Sequence, residues 1–539
     1  MDERHTQVLV VGGGLGGVAA AFTAARHGRH VILTEPTTWI GGVLTSQAVP
    51  PDEHIWIEQF GCTATYRTLR EQIRQHYRNH YPLTERARAS GDLNPGAARV
   101  SGLCFEPRVA LAVLETMLAP HRSAGRIHVL LRHRPVAADT DGDLVRAVTL
   151  HNQDLNTEIV ISADWVLDAT ETGDLLPLCG AEYVTGAESV HDTGEPHAPA
   201  QAQPRNMQPI SVCFALDHVD DADYTLDPPP GYQSFKQAAA VDWPDGQLSF
   251  TAPNPKTRHT ETHTFAPNPD DDVAMIGPDY DDRRVATRDR NLWTFRRIAA
   301  RNNFTPGSYD SDITLVNWPQ MDYWGGPVYD NPDAEHHLDQ ARNLSLSLLH
   351  WLHTEAPRPD GRTGWPGLRL RGDITGDTAD GLAMAPYIRE SRRIRAEHTI
   401  VEQDVALELR GHHGAATHPD SVGIGSYRID LHPTTGGDSY LDIACCPFEL
   451  PLGALIPVRL DNLLPSARNI GTTHITNGSY RMPAVEWNTG EVAAHLVSFS
   501  INRKIPPRTV RADPKLLADF LRTLHGAGVE TRWPHIEGY

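Results

Sequence analysis

The chain has 539 residues, with 48 Lys and Arg against 68 Asp and Glu, a formal net charge of −20. That acidity argues against sequence-independent nucleic-acid binding, which needs a basic footprint, and against docking on an anionic membrane. With 40% hydrophobic and 22% charged residues, the composition is that of a globular protein with ample apolar material for a core.

The opening Met-Asp-Glu-Arg-His lacks the positive region of a secretory signal. The six cysteines, none in a C-x-x-C pair, read as free thiols. A cytoplasmic protein is therefore expected. Val8 to Ala25 carries no charge over eighteen residues, but its five glycines fall within Gly12 to Gly17 and would break a membrane helix. Instead, Gln7 to Val11 reads as a strand buried on both faces. Gly12-Gly13-Gly14-Leu15-Gly16-Gly17 matches G-x-G-x-x-G, and Leu15, Val18, Ala19 and Phe22 then fall at helical spacing. A second strand, His30 to Leu33, ends in Thr34-Glu35. This β-turn-α-β unit is the dinucleotide-binding pattern. Gly12 permits the tight turn, Gly14 lets the backbone approach a pyrophosphate, and Gly17 lets the helix pack on the strand. Unpaired N–H groups at the helix start, at Leu15 and Gly16, face the anion. Glu35 would accept hydrogen bonds from ribose hydroxyls and disfavour a 2′-phosphate.

After Glu35 the chain runs Pro36-Thr37-Thr38-Trp39-Ile40-Gly41-Gly42-Val43-Leu44-Thr45-Ser46-Gln47. Here the sequence resembles the FAD-dependent oxidoreductases of the glutathione-reductase-type Rossmann superfamily and, more distantly, the fumarate-reductase and succinate-dehydrogenase flavoproteins. The resemblance implies a Gly-Gly loop that follows Glu35 and Pro36 and reaches the diphosphate. Gly41, Gly42, Val43, Leu44 and Thr45 would line the diphosphate and ribityl chain, with Ser46 and Gln47 near the flavin ring. No histidine follows the loop, so FAD is expected to be held non-covalently.

Three later segments extend the resemblance. Ile127 to Leu150 reads as a strand followed by a hairpin at Asp141-Gly142-Asp143, with Val136 as a backbone contact to adenine. Trp165 to Leu176 resembles the family's strand ending beside the dinucleotide, which brings in Ala169, Thr170, Gly173 and Asp174. Asn469 to His474 and Ser479 to Glu491 resemble the C-terminal flavin-binding segment, which brings in Gly471, Pro483, Glu486, Trp487 and Asn488. A helix is expected to begin near Pro483, where Pro and acids suit the first turn. Five further stretches resemble the bacterial FAD-dependent oxidoreductases: 94–96, 103–108, 317–320, 386–393 and 447–453.

The fold expected is α/β: a discontinuous Rossmann-type FAD domain (1–50, 125–185 and 455–510) with an inserted α+β substrate domain at 205–454. Residues 51–124 form a mainly helical insertion, with helices over 63–77 and 108–118, and 511–539 a C-terminal tail. The clearest helix of the substrate domain spans 334–353. Residues 186–205 and 252–290 read as long loops. The pair His259 and His263 sits in a Thr-rich stretch and reads as solvated loop, so no metal site is expected.

For catalysis, His474 is the expected general base, because imidazole titrates near neutrality. Arg389 and Arg393, four apart on a helix expected to begin near Pro386, would clamp a carboxylate or carbonyl. Tyr480 and Arg481 are candidate substrate contacts, and Asn317, Trp318 and Gln320 candidate pocket residues. The resulting expectation is an FAD-dependent dehydrogenase or oxidase that moves a hydride between a small organic substrate and flavin. Two alternatives stand beside it: a binding protein with a structural FAD, and a NAD-dependent Rossmann enzyme.

Overall fold

The structure is a computed structural model that describes residues 2–270 and 291–534. The first apolar run lies in β1 (Asp2–Val11), paired in parallel with β2 (Val31–Glu35) on one side and β6 (Thr157–Asp168) on the other. Both faces of β1 are covered, so Val8, Leu9, Val10 and Val11 are all fully buried and the run does not alternate. Outside β2 lies β3 (Ile127–Leu131). The hairpin of β4 (His133–Asp141) and β5 (Leu144–Asn152) turns at Gly142 and pairs antiparallel with β6. The sheet runs β3-β2-β1-β6-β5-β4, and Leu463–Pro465 joins the far end of β6 in parallel. One sheet thus collects chain from residues 2–168 and from 463–465.

Helix α1 (Leu15–Arg26) packs against α6 (Pro483–Arg503), two helices almost five hundred residues apart in sequence. Their approach requires glycine on both sides. A Cβ on Gly490 would meet the Gly16 carbonyl oxygen at 1.9 Å, and a Cβ on Gly16 would meet the Ser466 carbonyl oxygen at 1.9 Å and that of Glu486 in α6 at 3.1 Å. α2 (Ala64–His80), capped by Thr63, and α3 (Pro107–Ser123), opened by Pro107, occupy the expected helical insertion and pack on each other. In the later insertion, strands Arg297–Ala299, Ile313–Val316, Phe214–His218 and Leu368–Leu370 form an antiparallel sheet. The expected helix appears there as α4 (Ala334–Thr354), with Ala341, Leu348 and Leu352 in the core.

Several expectations need correcting. Residues 386–393 form no helix: Tyr387–Ile388 and Arg393–Ile394 are short strands, with extended chain between them. Tertiary partners for Arg389, Glu390 and Arg392, described below, hold this segment extended. The stretch around His259 and His263 is a small hairpin, Thr251–Pro253 with Thr260–Thr262, consistent with the strand preference of threonine. The rest of the expected loop, 271–290, lies outside the described residues. Within 186–205 there is a turn of helix, Val190–Thr193, and an Ala187–Gln203 bridge. The region expected to be a tail carries α7 (Pro514–Gly526), whose Phe520 and Leu524 are buried beneath α6. His474 opens α5 (His474–Tyr480), capped by Thr473.

All six cysteines are buried and unpaired. Among the described residues, no helix is long and apolar enough to cross a membrane.

Candidate functional site

The strand–turn–helix unit builds a cradle. Gly12 takes φ +101°, and its N–H donates to Thr34 Oγ1 at 3.2 Å. Gly14 is the N-cap of α1, and a Cβ on Gly17 would lie 2.0 Å from the Gly12 carbonyl oxygen. Glu35, at the end of β2, is buried against this turn. Its Oε2 accepts from Gly13 N at 3.1 Å and its Oε1 from Thr37 N at 2.8 Å and Thr37 Oγ1 at 2.7 Å. Burial pushes its carboxyl up to about 7 despite these donors.

The Gly41-Gly42 loop folds over the turn. Gly41 and Gly42 take φ of 109° and 51°, and Gly41 N donates to Gly13 O at 2.7 Å. A Cβ on either Gly14 or Gly42 would lie 2.7 Å from Glu171 Oε1, so turn and loop close around this carboxylate. Glu486, in the first turn of α6, accepts from Gly16 N at 3.3 Å. Arg468 bridges the two acids, 2.8 Å from Glu486 and 3.3 Å from Glu171. Burial raises the Glu171 carboxyl above its ordinary value, against the pull of Arg468. Gln47 stands beside Glu171 and works against the rise of its carboxyl, while the Gln47 amide oxygen is buried without a hydrogen-bond partner. Ser466 Oγ and Asp168 Oδ2 are likewise orphaned.

The other expected cofactor residues divide. Ala169 meets Gly12, and Thr170 donates twice to Asp168 Oδ1, which holds the end of β6 beside the turn. Val136 is the extra residue of a bulge between Pro135 and Ala137, outside the β4–β5 register. Val43, Leu44 and Thr45 are buried in the loop's short helix and its exit, and Ser46 O accepts from Ala385 N at 3.0 Å. Pro36, by contrast, is exposed and its carbonyl accepts from Gln153. Asp174 is engaged by Arg392, and Gly173 packs on the same arginine. Gly471 packs on the 396–398 segment. Pro483 opens α6. Trp487 donates to Thr65 Oγ1 and Asn488 to Val422 O, both away from the turn. Successive helical residues point about 100° apart, so Glu486 reaches the turn and its two neighbours do not.

A cavity of about 320 Å³ lies on the other side of segment 385–389, bounded by Asp52, Arg296, Trp318, Tyr387, Arg389, Tyr427, Asp430, His432 and Arg481. The segment joins cradle and cavity: Ala385 N reaches Ser46, Ile388 O accepts from Arg468, and Tyr387 faces the cavity. A chain of charged contacts runs along the wall. Arg389 pairs with Asp322 at 2.8 Å, and Asp322 accepts from His432 Nδ1 at 2.6 Å. His432 Nε2 lies 3.5 Å from Asp430, which pairs with Arg481 at 3.1 Å, and Arg481 donates to the Tyr387 hydroxyl at 2.6 Å. Burial and Arg389 work against a charged His432, but Asp322 and Asp430 prevail and raise its pKa. Burial likewise opposes charge on Asp322 and Asp430, yet their cationic neighbours hold both below the ordinary carboxylate range.

The expected catalytic set is only partly brought together. Arg389 lines the cavity, as do Asn317, Trp318 and Arg481, whereas Gln320 is not among its lining residues. His474 lines a different cavity of about 280 Å³, with Glu188, Glu195 and His197. Its Nδ1 is 2.9 Å from Glu390, and although burial opposes it, this carboxylate raises the pKa of the ring. Arg393 is locked between Glu390 and Glu188 and does not share a face with Arg389. Tyr480 stacks on Phe448 at 4.0 Å and donates to Glu449 O, a core role. His197, Glu402 and Glu408 bring potential ligand atoms within 4.8 Å of one another, with His197 Nδ1 2.6 Å from Glu402.

Sequence reasoning missed Asp322, Asp430 and His432. A signal existed for two of them. Asp430 and His432 alternate around the strand Ile429–Leu431, so both face this cavity while Leu431 faces the other. Nothing local marked Asp322.

A family model described as FAD dependent oxidoreductase matches residues 7–523. A curated relative, the FAD-dependent monooxygenase ntnJ of Nectria sp, is 36% identical over 67 residues, which cover 11% of this chain and only 16% of that protein. Among solved structures, OxyS anhydrotetracycline hydroxylase from Streptomyces rimosus aligns over 97% of this chain and 66% of its own, with 10% identity and a TM-score of 0.37. A geranylgeranyl bacteriochlorophyll reductase-like protein from Thermoplasma acidophilum aligns over 98% and 85%, with 10% identity and a TM-score of 0.33.

Proposed function

The chain belongs to the FAD-dependent oxidoreductases, and on that premise we propose that it moves a hydride between FAD and a small organic molecule held in the 320 Å³ cavity. When bound, FAD supplies the two-electron acceptor or donor. The cradle fits this cofactor: Glu35 for ribose, glycine at Gly14 and Gly42, and orphaned polar atoms on Gln47 and Ser466. Gly12, Gly14, Leu15, Gly16, Gly17, Glu35, the loop Gly41 to Gln47, Val136, Ala169 and Thr170 are the residues that would hold it. Replacing Glu35 with leucine should weaken FAD binding by roughly ten- to a hundredfold, the worth of hydrogen bonds to a charged group at about 1.5–3 kcal/mol. Fluorescence titration of apoprotein with FAD measures this, and unchanged affinity would remove Glu35 from the site.

The observation that carries the proposal is the polar chain from Asp322 to Tyr387 along a cavity wall that shares segment 385–389 with the cradle. In this reading Arg389 and Arg481 orient the substrate, and Trp318 and Tyr427 cover its apolar part. Tyr387 exchanges the proton that accompanies hydride movement, with Arg481 fixing its hydroxyl oxygen. The six buried thiols support a reducing, cytoplasmic setting.

The experiment is anaerobic mixing of the flavin-loaded protein with candidate substrates while the visible flavin band is followed. Tyr387→Phe should slow bleaching by about 10²-fold or more while FAD stoichiometry is retained. Bleaching at the wild-type rate would displace Tyr387 from its role. A band inert to every organic substrate would point to a structural FAD.

A further inference from the structure

Among the described residues, the charges around the 320 Å³ cavity do not balance. Asp52 pairs with Arg296 at 3.3 Å, Asp322 with Arg389 at 2.8 Å, and Asp430 with Arg481 at 3.1 Å. Each carboxylate is thus matched by an arginine. His432 then stands between two of the same carboxylates, Nδ1 at 2.6 Å from Asp322 and Nε2 at 3.5 Å from Asp430. Nδ1 is within hydrogen-bond distance of one carboxylate and Nε2 lies close to the other, so the surroundings of both ring nitrogens favour the cationic ring. Four cations therefore share three carboxylates. Arg99 and Glu261, also on the lining, are opposite in sign and leave the excess in place.

A second observation points the same way. Arg389 Nε, Arg481 Nε, Asn317 Nδ2 and Trp318 Nε1 are all buried without an acceptor, and all four belong to residues lining this cavity. Every one is a donor. An unmatched positive charge and unmatched donors in a buried wall are costly unless an anionic acceptor joins them. Leu292, Phe295 and Pro253 supply an apolar stretch of the same lining.

We propose that this cavity takes the carboxylate of an organic acid with an apolar body, and that such acids are the substrate class. The proposal rests on the reading that this cavity is the substrate site. The bound carboxylate would balance the imidazolium and accept from the arginine edge, while its apolar body lies against Leu292 and Phe295.

The probe is benzoate, with benzamide as its neutral counterpart and chloride as an inorganic anion, titrated calorimetrically into flavin-loaded protein at neutral pH. Benzoate should bind at least roughly tenfold more tightly than benzamide, the scale of one charged hydrogen bond. His432→Gln removes the excess cation and leaves all three arginine–carboxylate pairs, so it should erase that preference while FAD stoichiometry stays close to wild type. Equal binding of benzoate and benzamide, a preference that survives in His432→Gln, or chloride that binds as tightly as benzoate would each overturn the proposal. The two readings fail separately. Bleaching by neutral molecules alone removes the acid class and leaves the oxidoreductase site. Selective benzoate binding without bleaching by any substrate leaves the anion site and removes the cavity's assignment to turnover.

Discussion

Replacing Arg468 with methionine is expected to destabilise the fold by about 3–5 kcal/mol, the cost of breaking a buried ion pair by removing one partner. Arg468 is 4% exposed and its guanidinium reaches both Glu486 and Glu171, while a further nitrogen donates to Ile388 O. Methionine fills the space but leaves two carboxylates facing each other beside the start of α1. The pH dependence has a definite sign. Burial already raises the Glu171 carboxyl in the native protein, so the folded state binds its proton more tightly than the unfolded chain. Stability tied to that group therefore increases as pH falls through the raised value and declines as pH rises. Without Arg468 this tendency should strengthen, so the variant's deficit should be larger at pH 8 than at pH 5. Urea unfolding at the two pH values measures it. An equal deficit at both would mean that the acids do not carry the cost.

Asp322→Asn is expected to reduce substrate-driven flavin bleaching by about 10²–10³-fold, the scale seen when a preorganised electrostatic partner is removed from a site. Asp322 is fully buried and holds Arg389, His432 and Ser211 at once, at 2.8, 2.6 and 2.7 Å. The amide keeps the shape but withdraws the charge that raises His432. In the native protein His432 contributes stability that is complete below the ordinary imidazole pKa of about 6.5 and is lost as pH rises through the raised value. In the variant the ring loses its proton at lower pH. The alkaline limb of the bleaching rate should move down accordingly, and the thermal deficit should shrink towards alkaline pH. A pH profile that does not move would separate Asp322 from the charge state of His432. The conservative variant Asp322→Glu should recover part of the rate by restoring charge with altered reach.

How much of this was legible in the sequence follows from the range of the interactions. The alternation of Asp430 and His432 was readable, because a period of two needs only neighbouring residues. Glu390 misled, because Arg389-Glu390-Ser391-Arg392-Arg393 has the composition of an exposed helix. The structure draws it out, since Arg389 pairs with Asp322, Arg392 with Asp330 and Arg393 with Glu188, none of them within reach of a helix face. His474 misled in another way. Its place in a segment resembling the flavin-binding one, and an imidazole that titrates near neutrality, suggested a base, but Glu390 claims the imidazole from elsewhere in the fold. Trp487 and Asn488 were swept in with Glu486 by adjacency, where helical rotation separates them.

The sequence by itself determined the strand, glycine turn, helix and Glu35, because strand burial, left-handed turns and helix starts are set within about thirty residues by backbone sterics and apolar periodicity. It also determined the helices expected over 63–77 and 108–118 and the one expected near Pro483, within a few residues of their ends. Only the tertiary structure decided the cavity, whose charged residues run from Asp52 to Arg481 in the chain. Their roles depend on which carboxylate meets which cation once both are removed from water, and that pairing is set by the docking of distant segments.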